Sequence, residues 1–133
     1  MSKLLLAIPD QHAHPDHSNE RADWLAKLII DLQPDIVVNG GDAADMASLS
    51  SYDKGKRSSI GKSYTRDLNA HLEFQDRLWG PVKARKKKLP YRVVLEGNHE
   101  HRIERALDLS PEYENLLGFS DYDFDHYYQD VVR

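Results

Sequence analysis

The stretch Asp35-Ile36-Val37-Val38-Asn39-Gly40-Gly41-Asp42 decides how the chain folds. Its β-branched run reads as a short strand, and the Gly-Gly pair ends it in a turn that needs permissive backbone angles. Asp42 is thereby set at the carboxyl end of a strand. The same pattern recurs on both sides. Upstream, Leu4-Leu5-Leu6-Ala7-Ile8 is a continuous apolar run closed by Pro9, as expected of a strand in a parallel sheet. Downstream, Tyr91-Arg92-Val93-Val94-Leu95-Glu96 is a third strand, closed by Gly97.

Between the strands lie helices long enough to cross over. Ala22, Leu25, Leu28, Ile29 and Leu32 recur at three- and four-residue spacing, with Ser18 as N-cap and Pro34 just past the end. Thr65 to about Trp79 shows helical spacing through Leu68, Leu72, Gln75 and Leu78, punctuated by Gly80-Pro81. His71 is placed on the polar, surface side of that helix. Residues 46–63 read as an irregular excursion. Residues 101–109 and 111–118 read as two short helices split by Pro111, and residues 121–133 show no period. Strand, helix, strand, helix, strand implies an α/β fold with a parallel sheet and right-handed crossovers, whose site lies outside the carboxyl ends of the strands.

At 133 residues the chain has the length of one domain, and its 40% apolar and 30% charged residues match a globular protein. The longest apolar run is far shorter than the roughly 20 residues a membrane span needs, and no signal sequence is completed before Asp10, so a cytoplasmic protein with no membrane partner is expected. The chain has no cysteine. Disulfides, thiolate metal sites and cysteine nucleophiles are excluded, and any metal must be held by His, Asp, Glu or Asn.

Charge is segregated: residues 1–53 carry −6, residues 54–92 carry +9 and residues 93–133 carry −7. The basic run Lys83–Lys88 reads as a solvated face or as a patch that meets a phosphate or nucleic acid. Trp24 and Trp79 are assigned to packing, although Trp79 beside the lysines leaves single-strand contact open. Residues 55–63, Gly-Lys-Arg-Ser-Ser-Ile-Gly-Lys-Ser, nearly spell a phosphate-binding loop but carry five residues between the glycines instead of four and lack a preceding strand.

Each strand delivers oxygen and nitrogen donors to one edge: Asp10-Gln11-His12 after the first, Gly41-Asp42-Ala43-Ala44-Asp45 after the second, Gly97-Asn98-His99-Glu100 after the third. Carboxylate, amide and imidazole donors suit manganese, iron, nickel or zinc. These three motifs, in this order after successive strands, resemble those of the calcineurin-like metallophosphoesterases over roughly residues 4 to 101. The resemblance implies the N-terminal part of an αββα sandwich with a mainly parallel central sheet. It implies two divalent metal ions, manganese first. Asp10 and His12 would hold one, Asp42 would bridge, and Asn98 would hold the second. His99 would be the general acid, and His14, Asn98 and His99 would meet substrate. Asp45 is assigned to loop support and Glu100 to capping or orienting the next helix.

The implied activity is hydrolysis of a phosphate mono- or diester, a nucleotide or nucleic acid included, by a metal-bound hydroxide. The family's later histidine and Gly-His-x-His motifs have no counterpart: His101 starts a helix, and His126 lies in Asp-Phe-Asp-His-Tyr-Tyr. Residues 1–133 are therefore expected to be this domain truncated at its C-terminus, with one sheet face poorly covered and open to self-association or to a completing chain. The alternative is a non-catalytic phosphate- or nucleic-acid-binding remnant of the same fold.

Overall fold

The computed structural model describes residues 2–50, 63–85 and 87–133. Most of the near-miss phosphate loop, residues 55–62, and Lys86 within the basic run lie outside the described residues. Four strands, β1 (Leu5–Ile8), β2 (Ile36–Asn39), β3 (Tyr91–Leu95) and β4 (Asp130–Val132), form one sheet in the order β1-β2-β3-β4. Every pairing is parallel, with Leu5 opposite Ile36, Ile36 opposite Tyr91 and Val93 opposite Asp130. The connecting helices are α1 (Glu20–Leu32), α2 (Tyr64–Ala84) and α3 (Arg102–Leu109), followed by the single turn α4 (Phe124–Tyr127). This is the expected α/β class.

A strand order that advances one place at each right-handed crossover puts successive helices on the same side of the sheet. Burial follows that logic. Ile8, Val37, Asn39, Arg92 and Val94 point to the covered side and are buried. Leu5 on the opposite side is 55% exposed, Val132 is 51% exposed, and Ile36, Val38, Val93 and Leu95 are only half-buried. The strands therefore alternate, although their sequences are continuously apolar.

The N-cap of α1 is Asn19, not Ser18, although the Ser18 hydroxyl does accept the Glu20 amide at 3.1 Å. It buries Ala22, Ala26 and Ile29, and the two alanines let α2 approach. Trp24 lies two positions round the helix from this stripe and is 64% exposed, so the packing role expected of it fails. Trp79, by contrast, is buried edge-on against Tyr128 and under the Arg92 guanidinium, which leaves no face for a base.

Helix α2 runs straight through Gly80-Pro81. A proline there forfeits one backbone hydrogen bond close to the helix end, and burial of Trp79 and Val82 on either side holds the last turn in place. The buried stripe of α2 also includes three polar residues, Asp67, His71 and Gln75. His71 is fully buried, contrary to the surface placement. Its Nε2 donates to the Tyr122 carbonyl at 2.9 Å, and its ring meets Tyr122 and Phe124 edge-on. Burial pushes its pKa down to about 4, so the ring is neutral.

The aperiodic C-terminal stretch is the second half of the core. Tyr122, Phe124, Tyr127 and Tyr128 are buried, and β4 continues the sheet beyond β3. His126 is exposed, its ring meeting that of Tyr127 and its carbonyl accepting from Lys83 at 3.4 Å. Beyond Pro111 the expected second helix is a single 3₁₀ turn, Pro111–Tyr113. No helix among the described residues is long and apolar enough to cross a membrane.

Candidate metal centre

The loops that follow β1 and β2 stay zipped together past the ends of the strands. The amides of Asp10, His12 and Ala13 donate to the carbonyls of Gly41, Asp42 and Ala43, and Asp45 returns a bond to Ala13. Within this ladder Asp10, His12 and Asp42 all adopt the left-handed conformation, with φ of 54°, 50° and 54°. Short polar residues tolerate that region better than bulky apolar ones, and three such residues together mark a place where the surrounding structure holds the backbone in a costly shape. The result is convergence: ligand atoms of Asp10, His12 and Asp42 lie within 4.8 Å of one another.

Two glycines make this possible. Gly41 has φ of 97°, and a Cβ there would come within 3.0 Å of the Gly97 backbone. A Cβ on Gly97 would in turn strike the Asp42 carboxylate and amide. The ends of β2 and β3 thus touch backbone to backbone, and the His99 amide reaches Asp42 Oδ1 at 2.9 Å. Glu100, fully buried, accepts the Ala43 amide at 3.2 Å, and the Tyr122 hydroxyl donates to its carbonyl. Burial raises the Glu100 pKa to about 7. Its role is therefore to hold the Asp42 loop from beneath.

His99 sits beside His12, ring centroids 4.5 Å apart. Asp45 is the hub of the histidines. One of its carboxylate oxygens lies 3.3 Å from His12 Nδ1 and 3.1 Å from His99 Nδ1, and the other lies 3.8 Å from His14 Nε2. The His99 Nδ1 also faces the Asp45 carbonyl at 2.7 Å, which fixes Nδ1 as the protonated nitrogen and leaves Nε2 without a hydrogen bond among the described residues. Arg102 donates to that same carbonyl at 2.9 Å and to the carbonyl of Met46. His12, Asp45 and His99 make a second group of ligand atoms within 4.8 Å, sharing His12 with the first. Loop support, the role expected of Asp45, understates a carboxylate that reaches three imidazoles.

Asn98 is exposed at the same edge, its carbonyl accepting from Arg105 and its side chain making no hydrogen bond among the described residues. His14 lies at the rim, 5.0 Å from His17 between ring centroids, where a polar cavity of about 460 Å³ opens between the first loop and α2.

Beneath the loops runs a buried polar chain. The Tyr128 hydroxyl donates to Gln75 Oε1 at 2.6 Å, Asn39 Nδ2 donates to Tyr128 and to Gln11 Oε1, and Asn39 Oδ1 accepts the Gly41 amide at 3.2 Å. One amide side chain at the end of β2 therefore ties α2, the C-terminal core and both ligand loops together. The sequence offered a signal for Asn39, a polar residue closing a β-branched run, but none for its partner Tyr128.

The donor set suits a hard or borderline divalent cation. Its carboxylate oxygens and imidazole nitrogens are clustered, and Asp10 and Asn98 stand open to solvent. Residues 4–132 match the family model of the calcineurin-like phosphoesterases. No curated protein and no solved structure matches the chain. A match over almost the whole length, with the three motif loops meeting at one sheet edge, establishes that the chain belongs to the calcineurin-like phosphoesterase family.

Proposed function

We propose that this protein hydrolyses a phosphate mono- or diester at the edge formed by Asp10, Asp42 and His99, with Asp10, His12, Asp42 and Asn98 holding two divalent cations, manganese first. A divalent cation, when bound, supplies charge that polarises a phosphoryl oxygen and makes attacking water more acidic. The chain's own residues bind, orient and move a proton. Asp42 offers one oxygen to the His99 amide and has the other free among the described residues, which suits a carboxylate that must face the cations. His12 is oriented from behind, its Nδ1 against Asp45 and its Nε2 3.8 Å from Asp10.

His99 holds its second proton at Nε2 and passes it to the leaving oxygen, while Asp45 balances the imidazolium and keeps the ring in register. The observation that carries this reading is the shared carboxylate: Asp45 aligns a ligand, His12, and an acid, His99, side by side. Hydrolysis of p-nitrophenyl phosphate and of its bis-ester with Mn²⁺, abolished by EDTA, tests it.

One observation favours a second reading, a phosphate-binding module without turnover. The two clusters of ligand atoms share His12, so they do not make two independent cation sites. In that case phosphate binds with Mn²⁺ present and neither ester is hydrolysed.

A further inference from the structure

A second cavity lies away from the metal centre. It has a volume of about 600 Å³ and lies at the opposite pole of the sheet, where β2 and β3 begin and α1 and α2 end. Its apolar wall is formed by Ile29 and Ile30 of α1, Val82 of α2, and Leu89. Four cations stand around it: Lys3, Arg85, Lys87 and Lys88. The one carboxylate in the lining, Asp35, is already engaged by the Leu4 amide at 2.8 Å and by Lys3 at 3.9 Å. The side chains of Arg85, Lys87 and Lys88 make no hydrogen bond or ion pair among the described residues.

Helix polarity alone does not account for this ring of charge. The partial negative charge at a helix C-terminus favours a cation within the last turn and fades beyond it. That covers Lys83 and Arg85, but Lys87 and Lys88 lie past the end of α2 and Lys3 precedes β1. A nucleic-acid track fits less well: Trp79 is buried, the exposed ring in the lining, Tyr91, is tied through its hydroxyl to Asp130 at 2.7 Å, and the concavity is floored by aliphatic side chains. A cavity of this size, apolar within and charged at its mouth, has the form of a small-molecule site.

We propose that this cavity binds a soluble amphipathic anion, an aliphatic body carrying one phosphate, sulfonate or carboxylate. The body lies along Ile29, Ile30, Val82 and Leu89, and the head meets Lys87, Lys88 and Arg85. The site is separate from the metal centre, and the proposal stands whether or not the latter turns over.

Calorimetric titration of the Mn²⁺-loaded full chain with monomeric octanesulfonate, which has no phosphoester bond, tests the proposal. The expected result is saturable binding, about tenfold weaker in Lys87→Gln/Lys88→Gln, as loss of charge-assisted hydrogen bonds implies. Leu89→Asp, at an exposed position, should weaken it similarly, and removal of Mn²⁺ with EDTA should leave it unchanged. Circular dichroism confirms that each variant is folded. The proposal is overturned by absence of saturable binding, by equal affinity for inorganic sulfate, by unchanged affinity in the lysine variant, or by preference for anionic vesicles or an oligonucleotide over the monomeric sulfonate.

Discussion

Gly97 lies so close to Asp42 that a methyl group on its Cα would occupy the space of the Asp42 carboxylate. The end of one strand thus sets the position of the ligand that follows another. Gly97 does not have a left-handed backbone, so the constraint there is purely steric. Gly97→Ala should retain the fold and displace Asp42, weakening Mn²⁺ binding by calorimetry about tenfold or more, the size of effect found when a ligand's support is lost. Native-like affinity in a folded Gly97→Ala protein would show that Asp42 tolerates the shift.

Asp45 is expected to act on the reaction and not as the principal cation ligand. Asp45→Asn preserves shape but removes the charge beside His12 and His99. Turnover should fall about 10- to 100-fold with little change in KM, the usual cost of removing a carboxylate behind a histidine. Complete loss of Mn²⁺ binding would instead make Asp45 a ligand.

The chain beneath the loops should be worth measurable stability. Tyr128→Phe leaves Gln75 Oε1 buried without its donor and removes an acceptor from Asn39. Urea unfolding should show a loss of about 1–3 kcal/mol, the cost of a buried polar group left unpaired. A loss below the error of the measurement would mean that water replaces the hydroxyl.

Acid should unfold the protein partly through His71. Its pKa is pushed down to about 4 in the fold from an ordinary 6.5, so between these values the unfolded chain binds a proton that the folded one refuses. Stability from this residue is complete above pH 6.5 and is lost as pH falls towards 4, on the order of 2 kcal/mol by pH 5 for a group this buried. His71→Gln should flatten the pH dependence over that window. An unchanged slope would place the acid sensitivity elsewhere.

The three strand ends were legible because each combines an apolar run, a turn-forming residue and a cluster of polar donors, and those signals are local. β4 was not, because it is three residues long and owes its place to pairing with β3: the Glu96 amide reaches the Val132 carbonyl at 2.8 Å and the Gln129 amide the Arg92 carbonyl at 2.9 Å. His71 and Trp24 were misplaced for opposite reasons. Apolar spacing locates a helix, but α2 buries polar residues that find partners across the core, and α1 buries alanines in preference to its tryptophan. Gly-Asp-x-x-Asp was visible as a motif, yet the reach of Asp45 to three histidines depends on loops meeting in space.

Asp42 and His99 divide the labour between cation binding and proton transfer, and one paired experiment separates the two roles. Mn²⁺ binding by calorimetry and hydrolysis of bis-p-nitrophenyl phosphate are measured on the same preparations of Asp42→Ala, His99→Ala and the parent chain. Asp42→Ala should lose both binding and turnover. His99→Ala should bind Mn²⁺ within about twofold of the parent and turn over about 10²–10⁴-fold more slowly, as removal of a general acid implies. Loss of Mn²⁺ binding by His99→Ala as complete as that by Asp42→Ala, or undiminished turnover in either variant, would contradict this division.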